Sequence, residues 1–200
     1  MKLKKFLIFF TFYFLLTHPL KSEQYKIIVS INDKIITNLD LKNEIEILKI
    51  LNNNPNLKYS QIYNLALNGL IDSKIKQIET DKNKVNIENE IVEKYFEIFL
   101  KNSQYKRENI SEFRINIIKE KIKEDLAWNK LISNLYTWKV NINMNEIESR
   151  IDNILKKEKN QNNAKEIKSQ LINEETNKKL NVFSRYHFLK VKKEMMIKYY

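Results

Sequence analysis

Apolar residues recur at helical spacing, every three or four positions, along most of the chain. The clearest stripe begins near Ser60 and contains Tyr63, Leu67, Leu70, Ile71, Ile75 and Ile78. Similar stripes predict six helices: after Thr37, from near Ser60, after Asn86, from about Ile110 to Trp138 (as one helix or a broken pair), from Asn143, and from Ile167. The first helix is predicted to stop in the Asn- and Pro-containing residues 52–55.

Two of these predicted helices begin with capping signals. Thr37 is followed three residues later by Asp40, and Asn143 is followed three residues later by Glu146. A short polar side chain at the N-cap and a carboxylate in the first turn satisfy amide groups that have no intrahelical partner. We therefore expect helices to begin at both places.

Short β-branched runs lie on both sides of Asn32-Asp33 near the start of the chain. Asn and Asp tolerate left-handed turn conformations, so this pattern predicts a small hairpin. The stretch from Lys139 to Ile142 could add a third strand. Strands are thus expected near residues 26–31, 34–37 and 139–142. The last helix is expected to end among the apolar and aromatic residues 195–200.

The chain contains one glycine, Gly69, and two prolines in 200 residues. Tight turns and phosphate-binding loops depend on glycine, so few hairpins and no Gly-rich nucleotide loop are expected. Gly69 falls inside the second predicted helix, where glycine is disfavoured, and close helix packing would explain it. The fold class is therefore predicted to be mainly α, with a small β-hairpin or three short strands.

The first 22 residues have the pattern of a secretory signal peptide. Lys2, Lys4 and Lys5 precede an apolar run from Phe6 to Leu16, interrupted only by Thr11. The run is shorter than the ~20 residues of a bilayer-spanning helix. We expect cleavage after Ser22 and a periplasmic location; the alternative is an uncleaved membrane anchor.

The net charge of +11 does not by itself indicate nucleic-acid binding. Four lysines lie in the first 22 residues, so the remaining chain has 32 basic against 25 acidic residues, a net charge of +7. The lysines alternate with Glu and Asp and form no run that would follow a phosphate backbone. We expect a solvated lysine-rich surface and no nucleic-acid partner.

The sequence offers little catalytic chemistry. It has no cysteine, which excludes disulfides and thiolate catalysis, and His187 is the one histidine beyond the predicted signal peptide. We expect His187 to be a packed or half-exposed residue. The acidic side chains at positions 88, 90, 93 and 97 have the spacing of a solvated helix face rather than of a metal site. No enzymatic activity, cofactor or metal is expected.

Aromatic residues are more numerous in the middle of the chain than a single narrow core stripe needs. They either fill the core or line a partly exposed apolar groove that binds peptide. The candidate peptide-binding residues are Tyr95, Phe96, Phe99, Phe113, Trp128, Tyr136 and Trp138.

The order of these elements resembles the SurA family of periplasmic chaperones. Residues 27–48 are similar to that family's opening hairpin and first capped helix, and residues 65–91 to its next block. Residues 126–132 and 140–147 resemble the end of its N-terminal region. Residues 167–197 resemble the helix that closes the family's chain.

The resemblance implies a helical SurA- or trigger-factor-like peptide-binding domain over residues 23–155. It also implies a linker at 156–164, followed by a C-terminal helix at 165–200 that packs back on that domain. Family members usually carry glycine-rich parvulin domains between these segments; here the short linker joins them directly.

The implied function is ATP-independent binding of unfolded outer-membrane proteins or other extended polypeptides, without prolyl isomerase activity. The alternatives are a remnant of a peptidyl-prolyl isomerase and a membrane-tethered structural or interaction protein. A membrane is an expected partner only if the N-terminal segment is retained.

Overall fold

The computed structural model describes residues 24–51, 58–103, 106–157 and 164–200. Within these ranges the protein is mainly helical with a small antiparallel sheet, which confirms the predicted fold class. The predicted signal peptide, the predicted helix stop at residues 52–55 and most of the predicted linker lie outside the described residues.

Six helices and three strands make up the described part of the chain. The strands are β1 (Ile27–Ile31), β2 (Lys34–Thr37) and β3 (Ile197–Tyr199). The helices are α1 (Asn38–Leu51), α2 (Tyr59–Lys82), α3 (Asn89–Asn102), α4 (Glu112–Tyr136), α5 (Met144–Lys157) and α6 (Ala164–Glu194). Short 3-10 turns at Arg107–Asn109 and Thr137–Lys139 precede and follow α4.

The predicted capping signals start α1 and α5. The Thr37 amide donates to Asp40 Oδ2 at 2.8 Å, and the Asp40 amide donates to Thr37 Oγ1 at 3.2 Å. This reciprocal arrangement satisfies two amides at the start of α1. At α5 the Glu146 amide donates to Asn143 Oδ1 at 3.4 Å.

The sheet has the order β2-β1-β3, so the third strand comes from the C-terminal end of the chain. The prediction of a strand at 139–142 was wrong, because Lys139 ends a 3-10 turn and the segment after it leads into α5. The prediction that the last helix ends among residues 195–200 was also wrong, since α6 ends at Glu194 and Ile197–Tyr199 form a strand. With 31 residues, α6 is about 46 Å long and returns the chain to β1.

Asn32 connects the hairpin turn to the end of α6. Its φ of 51° lies in the left-handed region, as the Asn-Asp turn predicts. Its side-chain oxygen accepts from the Met196 amide at 2.9 Å, and its own amide donates to the Met196 carbonyl at 2.9 Å. These bonds fix the start of β3 against the hairpin.

Helix α4 is central and contacts α2, α3 and α6. One core cluster joins the sheet to α2 and α6 and contains Val29, Ile31, Ile36, Ile71, Ile75 and Val191. A second joins α1, α3 and the N-terminal end of α4 and contains Ile47, Phe96, Ile110, Ile115 and Ile118. A third joins the C-terminal end of α4 to α6, with Trp128, Leu131 and Ile132 packed against Leu180 and Phe188.

Between these clusters, polar side chains meet at the middle of α4. Glu44 of α1 is buried and pairs with Lys121 Nζ at 2.7 Å, and Ser73 of α2 donates to Glu124. Gly69 lies beside this pair, where an added Cβ would meet only Glu44 Oε1, at an ordinary 3.6 Å. Close helix packing therefore does not explain Gly69.

Candidate peptide-binding site

The seven aromatic residues proposed from the sequence do not line one groove. They divide between the two ends of α4, which is 25 residues or about 37 Å long. Phe96, Phe99 and Phe113 lie at its N-terminal end, together with Tyr95 on α3. Trp128, Tyr136 and Trp138 lie at or just beyond its C-terminal end. One extended peptide segment would need to follow the whole helix to contact both groups.

At the N-terminal end, Phe96 belongs to the core and Phe113 does not. Phe96 is fully buried, its ring centroid 6.1 Å from that of the half-buried Phe99. Arg107 and Lys119 place their cations over the Phe96 ring, 5.5 and 5.1 Å from its centroid. Phe113 is 60% exposed and Tyr95 46%. The surface at this end is thus formed by Tyr95, Phe99 and Phe113.

The cations that cover Phe96 also make ion pairs on α3. Arg107 contacts Glu93 and Glu97 at 3.0 and 2.9 Å, and Lys119 contacts Glu93. Hydrogen bonds from Lys119 and Arg107 lower the pKa of Glu93, and the bond to Glu93 raises the pKa of Arg107. This network links α3 to the 3-10 turn at Arg107–Asn109 and to α4.

At the C-terminal end the aromatic side chains are covered by α6. Trp128 is buried and its Nε1 donates to Ser184 Oγ at 2.8 Å, while Tyr136 stacks on Phe183 with centroids 5.0 Å apart. Trp138 is the exception: it is 77% exposed, and its Nε1 donates to the Leu135 carbonyl at 2.9 Å. Trp128 and Tyr136 therefore hold α6 in place.

A polar cluster lies within this covered region. Tyr136 Oη and His187 Nδ1 are 2.8 Å apart, and His187 Nε2 is 3.4 Å from Glu79 Oε1. Asn83 Nδ2 donates to the same Glu79 oxygen at 3.1 Å. Burial raises the pKa of the Tyr136 hydroxyl, with smaller contributions from Tyr186 and Glu79. The cluster links α2, α4 and α6.

From the sequence, His187 was expected to be a packed or half-exposed residue, and its proximity to Glu79 and Tyr136 was not predicted. His187 and Glu79 are both buried, so the cluster presents no open face to a substrate. Residues from three distant segments form it, and no local spacing signals their proximity. We assign it to the packing of α6.

Two clefts adjoin α1, one on each side of Glu46. The first cleft has a volume of about 340 Å³ and an apolar floor of Ile28, Leu41 and Ile45. Tyr59 and Tyr63 form its wall, with ring centroids 6.4 Å apart. Tyr59 is 70% exposed at the rim. Concave, mostly apolar sites with a few polar groups are typical of binding sites.

The second cleft lies between α1 and the start of α4, with a volume of about 420 Å³. Ile47 and Ile117 form its floor, and Phe113 lies at its rim. Glu46, which lines both clefts, is 3.4 Å from Arg114 Nη2. Phe113 was predicted from the sequence as a binding residue, but the two tyrosines were not. Tyr63 was assigned to the core stripe of α2, and Tyr59 precedes that stripe.

Helix α3 exposes a further apolar stripe. Ile91, Tyr95 and Ile98 are 40%, 46% and 42% exposed at i, i+4 and i+7, whereas Val92 and Phe96 on the neighbouring face are buried. An apolar surface on both faces of a peripheral helix is more than folding requires. The stripe and the second cleft border the same core cluster, since Phe96 and Ile47 both belong to it.

Within the described ranges, no group of His, Asp and Glu side chains is arranged to hold a metal ion. No described helix combines the length and apolar character needed to cross a bilayer. The chain matches no protein-family model and no curated protein sequence.

Proposed function

We propose that this protein binds unfolded polypeptide without ATP and without catalysis, as a chaperone, through the two clefts beside α1. One observation carries the proposal: each cleft has an apolar floor and an exposed aromatic ring at its rim, Tyr59 in one and Phe113 in the other. Exposed aromatic side chains beside concave apolar surface are typical of binding sites rather than of solvated surface.

An extended peptide suits this arrangement. Its side chains alternate in direction, so those on one face are about 7 Å apart and can enter neighbouring depressions. Each apolar side chain that leaves water contributes about 25 cal/mol per Å² before the cost of ordering the peptide. The contacts are with side-chain surface and have no fixed register, which favours broad recognition and modest affinity.

We further propose that the clients are unfolded outer-membrane β-barrel proteins in the periplasm. Their strands alternate apolar and polar side chains, which matches a surface where apolar floors lie next to polar groups such as Asn43 and Glu46. The signal-peptide pattern of residues 1–22 and the resemblance to SurA chaperones support this compartment and client class.

The test is suppression of aggregation of a urea-unfolded outer-membrane β-barrel protein upon dilution. The wild-type protein at several-fold molar excess should delay aggregation without nucleotide. The double variant Tyr59→Ser/Phe113→Ser should lose most of this effect, because both cleft rims lose their aromatic ring.

The matched control is Tyr186→Ser/Trp138→Ser, which removes one tyrosine and one other aromatic residue of similar exposure, neither of which lines a cleft. Far-ultraviolet dichroism checks that both variants are folded. If the folded wild-type protein does not delay aggregation, or if both double variants lose activity equally, the assignment to the clefts is wrong.

A further inference from the structure

The outer face of α6 carries an apolar stripe near its C-terminal end. Val182, Tyr186 and Leu189 are 64%, 65% and 58% exposed, at i, i+4 and i+7. His187 and Val191, on the opposite face, are buried against the rest of the protein. This half of α6 is thus apolar on two faces, although only one face contributes to the core.

The same stripe is covered further towards the start of α6. Leu171 lies three helical turns before Val182, on the same face, and is buried by Ile147 and Ile151 of α5. Helix α5 begins at Met144, and the preceding Asn141 carbonyl accepts a hydrogen bond from Lys179. Beyond Lys179, α5 no longer covers the stripe.

The uncovered part of α6 is strongly basic. Six lysine and arginine residues and one acidic residue, Glu194 at the last position of α6, occur from position 178 to position 194. Arg185, Lys190 and Lys193 are exposed and have no ion-pair partner among the described residues. By helical geometry, Arg185 and Lys190 lie on opposite sides of the apolar stripe and Lys193 continues it. The surface therefore attracts an anionic partner.

We propose that this face of α6 binds the surface of an anionic lipid bilayer, with the helix axis parallel to the membrane plane. Val182, Tyr186 and Leu189 would enter the headgroup region, and the flanking cations would contact lipid phosphates. Apolar side chains between rows of basic residues are typical of helices that lie in the membrane interface. The surface is the convex side of a single helix, so it needs no complementary groove.

Other occupants fit less well. A second copy of this face would bring its cations close to those of the first, and after Glu175 the helix carries one acid, Glu194, to offset them. Three apolar side chains also supply much less than the ~800 Å² per partner of a stable protein interface. An acidic amphipathic helix has suitable charge but faces the same limit of area.

The first test uses the absence of cysteine from the sequence. A solvent-sensitive fluorophore is attached to the full chain at Leu189→Cys or, as a control, at the exposed Gln170→Cys on the same helix. Vesicles of phosphatidylethanolamine with phosphatidylglycerol should shift the Leu189→Cys emission to the blue and leave the control unchanged. Vesicles of phosphatidylcholine should shift neither. The label senses its own surroundings, so insertion of residues 6–16 does not mimic the signal.

The second test changes charge in the same labelled Leu189→Cys chain. Lys190→Gln/Lys193→Gln should bind the anionic vesicles about 30-fold more weakly, since each lysine near such a surface contributes about fivefold. Lys156→Gln/Lys165→Gln, an equal change at exposed sites on α5 and α6, should change affinity less than twofold.

Two results would overturn the proposal: no shift with anionic vesicles, or equal effects of the two charge variants. A shift caused by a soluble acidic amphipathic peptide but not by vesicles would also overturn it and would identify a protein partner instead. The aggregation assay contains no lipid, so its outcome is independent of this one.

Discussion

The two ends of α4 carry similar aromatic residues but differ in what covers them. At the C-terminal end, α6 closes over Trp128 and Tyr136, and their polar atoms find partners in Ser184 and His187. At the N-terminal end, Phe96 is buried, but Phe113 remains exposed beside the second cleft and Tyr95 remains exposed on the outer stripe of α3. Among the described residues, α6 covers the aromatic side chains in one region, whereas two of those in the other region stay exposed.

This difference indicates which aromatic residues maintain the fold and which are available for binding. A ring buried by a neighbouring helix stabilises the protein in proportion to the area it removes from water. A ring at the rim of an open cleft contributes little to stability, so its substitution affects binding first. Substitutions at the two ends of α4 test this difference.

The largest effect on stability is expected for Phe96→Ala. This side chain is fully buried in the cluster that joins α1, α3 and α4, so its removal should cost about 3–5 kcal/mol of unfolding free energy. Phe113→Ala, at the same end but exposed, should change it by less than about 0.5 kcal/mol. Urea denaturation of the two variants measures both values. Equal losses would contradict the distinction between core and rim.

A smaller loss is expected for Tyr136→Phe at the covered end. The substitution leaves buried His187 Nδ1 without its partner at 2.8 Å, which should cost about 1–3 kcal/mol at neutral pH. Because burial raises the pKa of Tyr136, the folded protein keeps this proton at a pH where the unfolded chain loses it. The stabilisation that the protonated Tyr136 hydroxyl gives to the folded protein is complete below the ordinary tyrosine pKa of about 10. It is lost as the pH rises through the raised pKa that Tyr136 has in the folded protein.

Denaturation of the wild type and of Tyr136→Phe at several pH values tests this effect. The difference in unfolding free energy between the two proteins should narrow above about pH 10. Tyr136→Phe serves as the control for the wild type, because the two proteins share all other titrating groups. A difference that is constant or widens with pH would show that Tyr136 is not held protonated by burial.

A gain in stability is expected at Gly69 of α2, which lies beside the Glu44–Lys121 pair that contacts the middle of α4. Gly69→Ala should stabilise the protein by about 1 kcal/mol, since alanine is favoured over glycine inside a helix and the new Cβ makes only an ordinary contact with Glu44. Thermal unfolding measures the change. A loss of stability would show that the pair of Glu44 and Lys121 needs the space beside Gly69.

Much of the fold could be predicted because its signals are local. The periodic stripes indicated the helices, and the spacing of Thr37 with Asp40 and of Asn143 with Glu146 marked two helix starts. The third strand could not be predicted in this way. β3 has three residues, too few for a periodic pattern, and it pairs with β1 because α6 returns the chain to the sheet.

The candidate site was less predictable than the fold. The sequence shows which residues are aromatic, but their exposure depends on which helices cover them. Phe96 and Phe113 could not be distinguished until the packing of α1 and α3 on α4 was known. Tyr59 and Tyr63 form a cleft wall only because α1 and β1 lie opposite them.

Peptide binding at the two clefts is tested most directly by photo-crosslinking to an unfolded outer-membrane β-barrel protein. A benzophenone amino acid replaces Tyr59, Phe113 or Trp138 in separate variants, all at exposed positions. We expect strong client crosslinks from the two cleft-rim positions and weak ones from Trp138, which lies beyond the covered end of α4. Crosslinks from Trp138 as strong as those from Tyr59 and Phe113, or none from the cleft rims, would contradict peptide binding at the clefts.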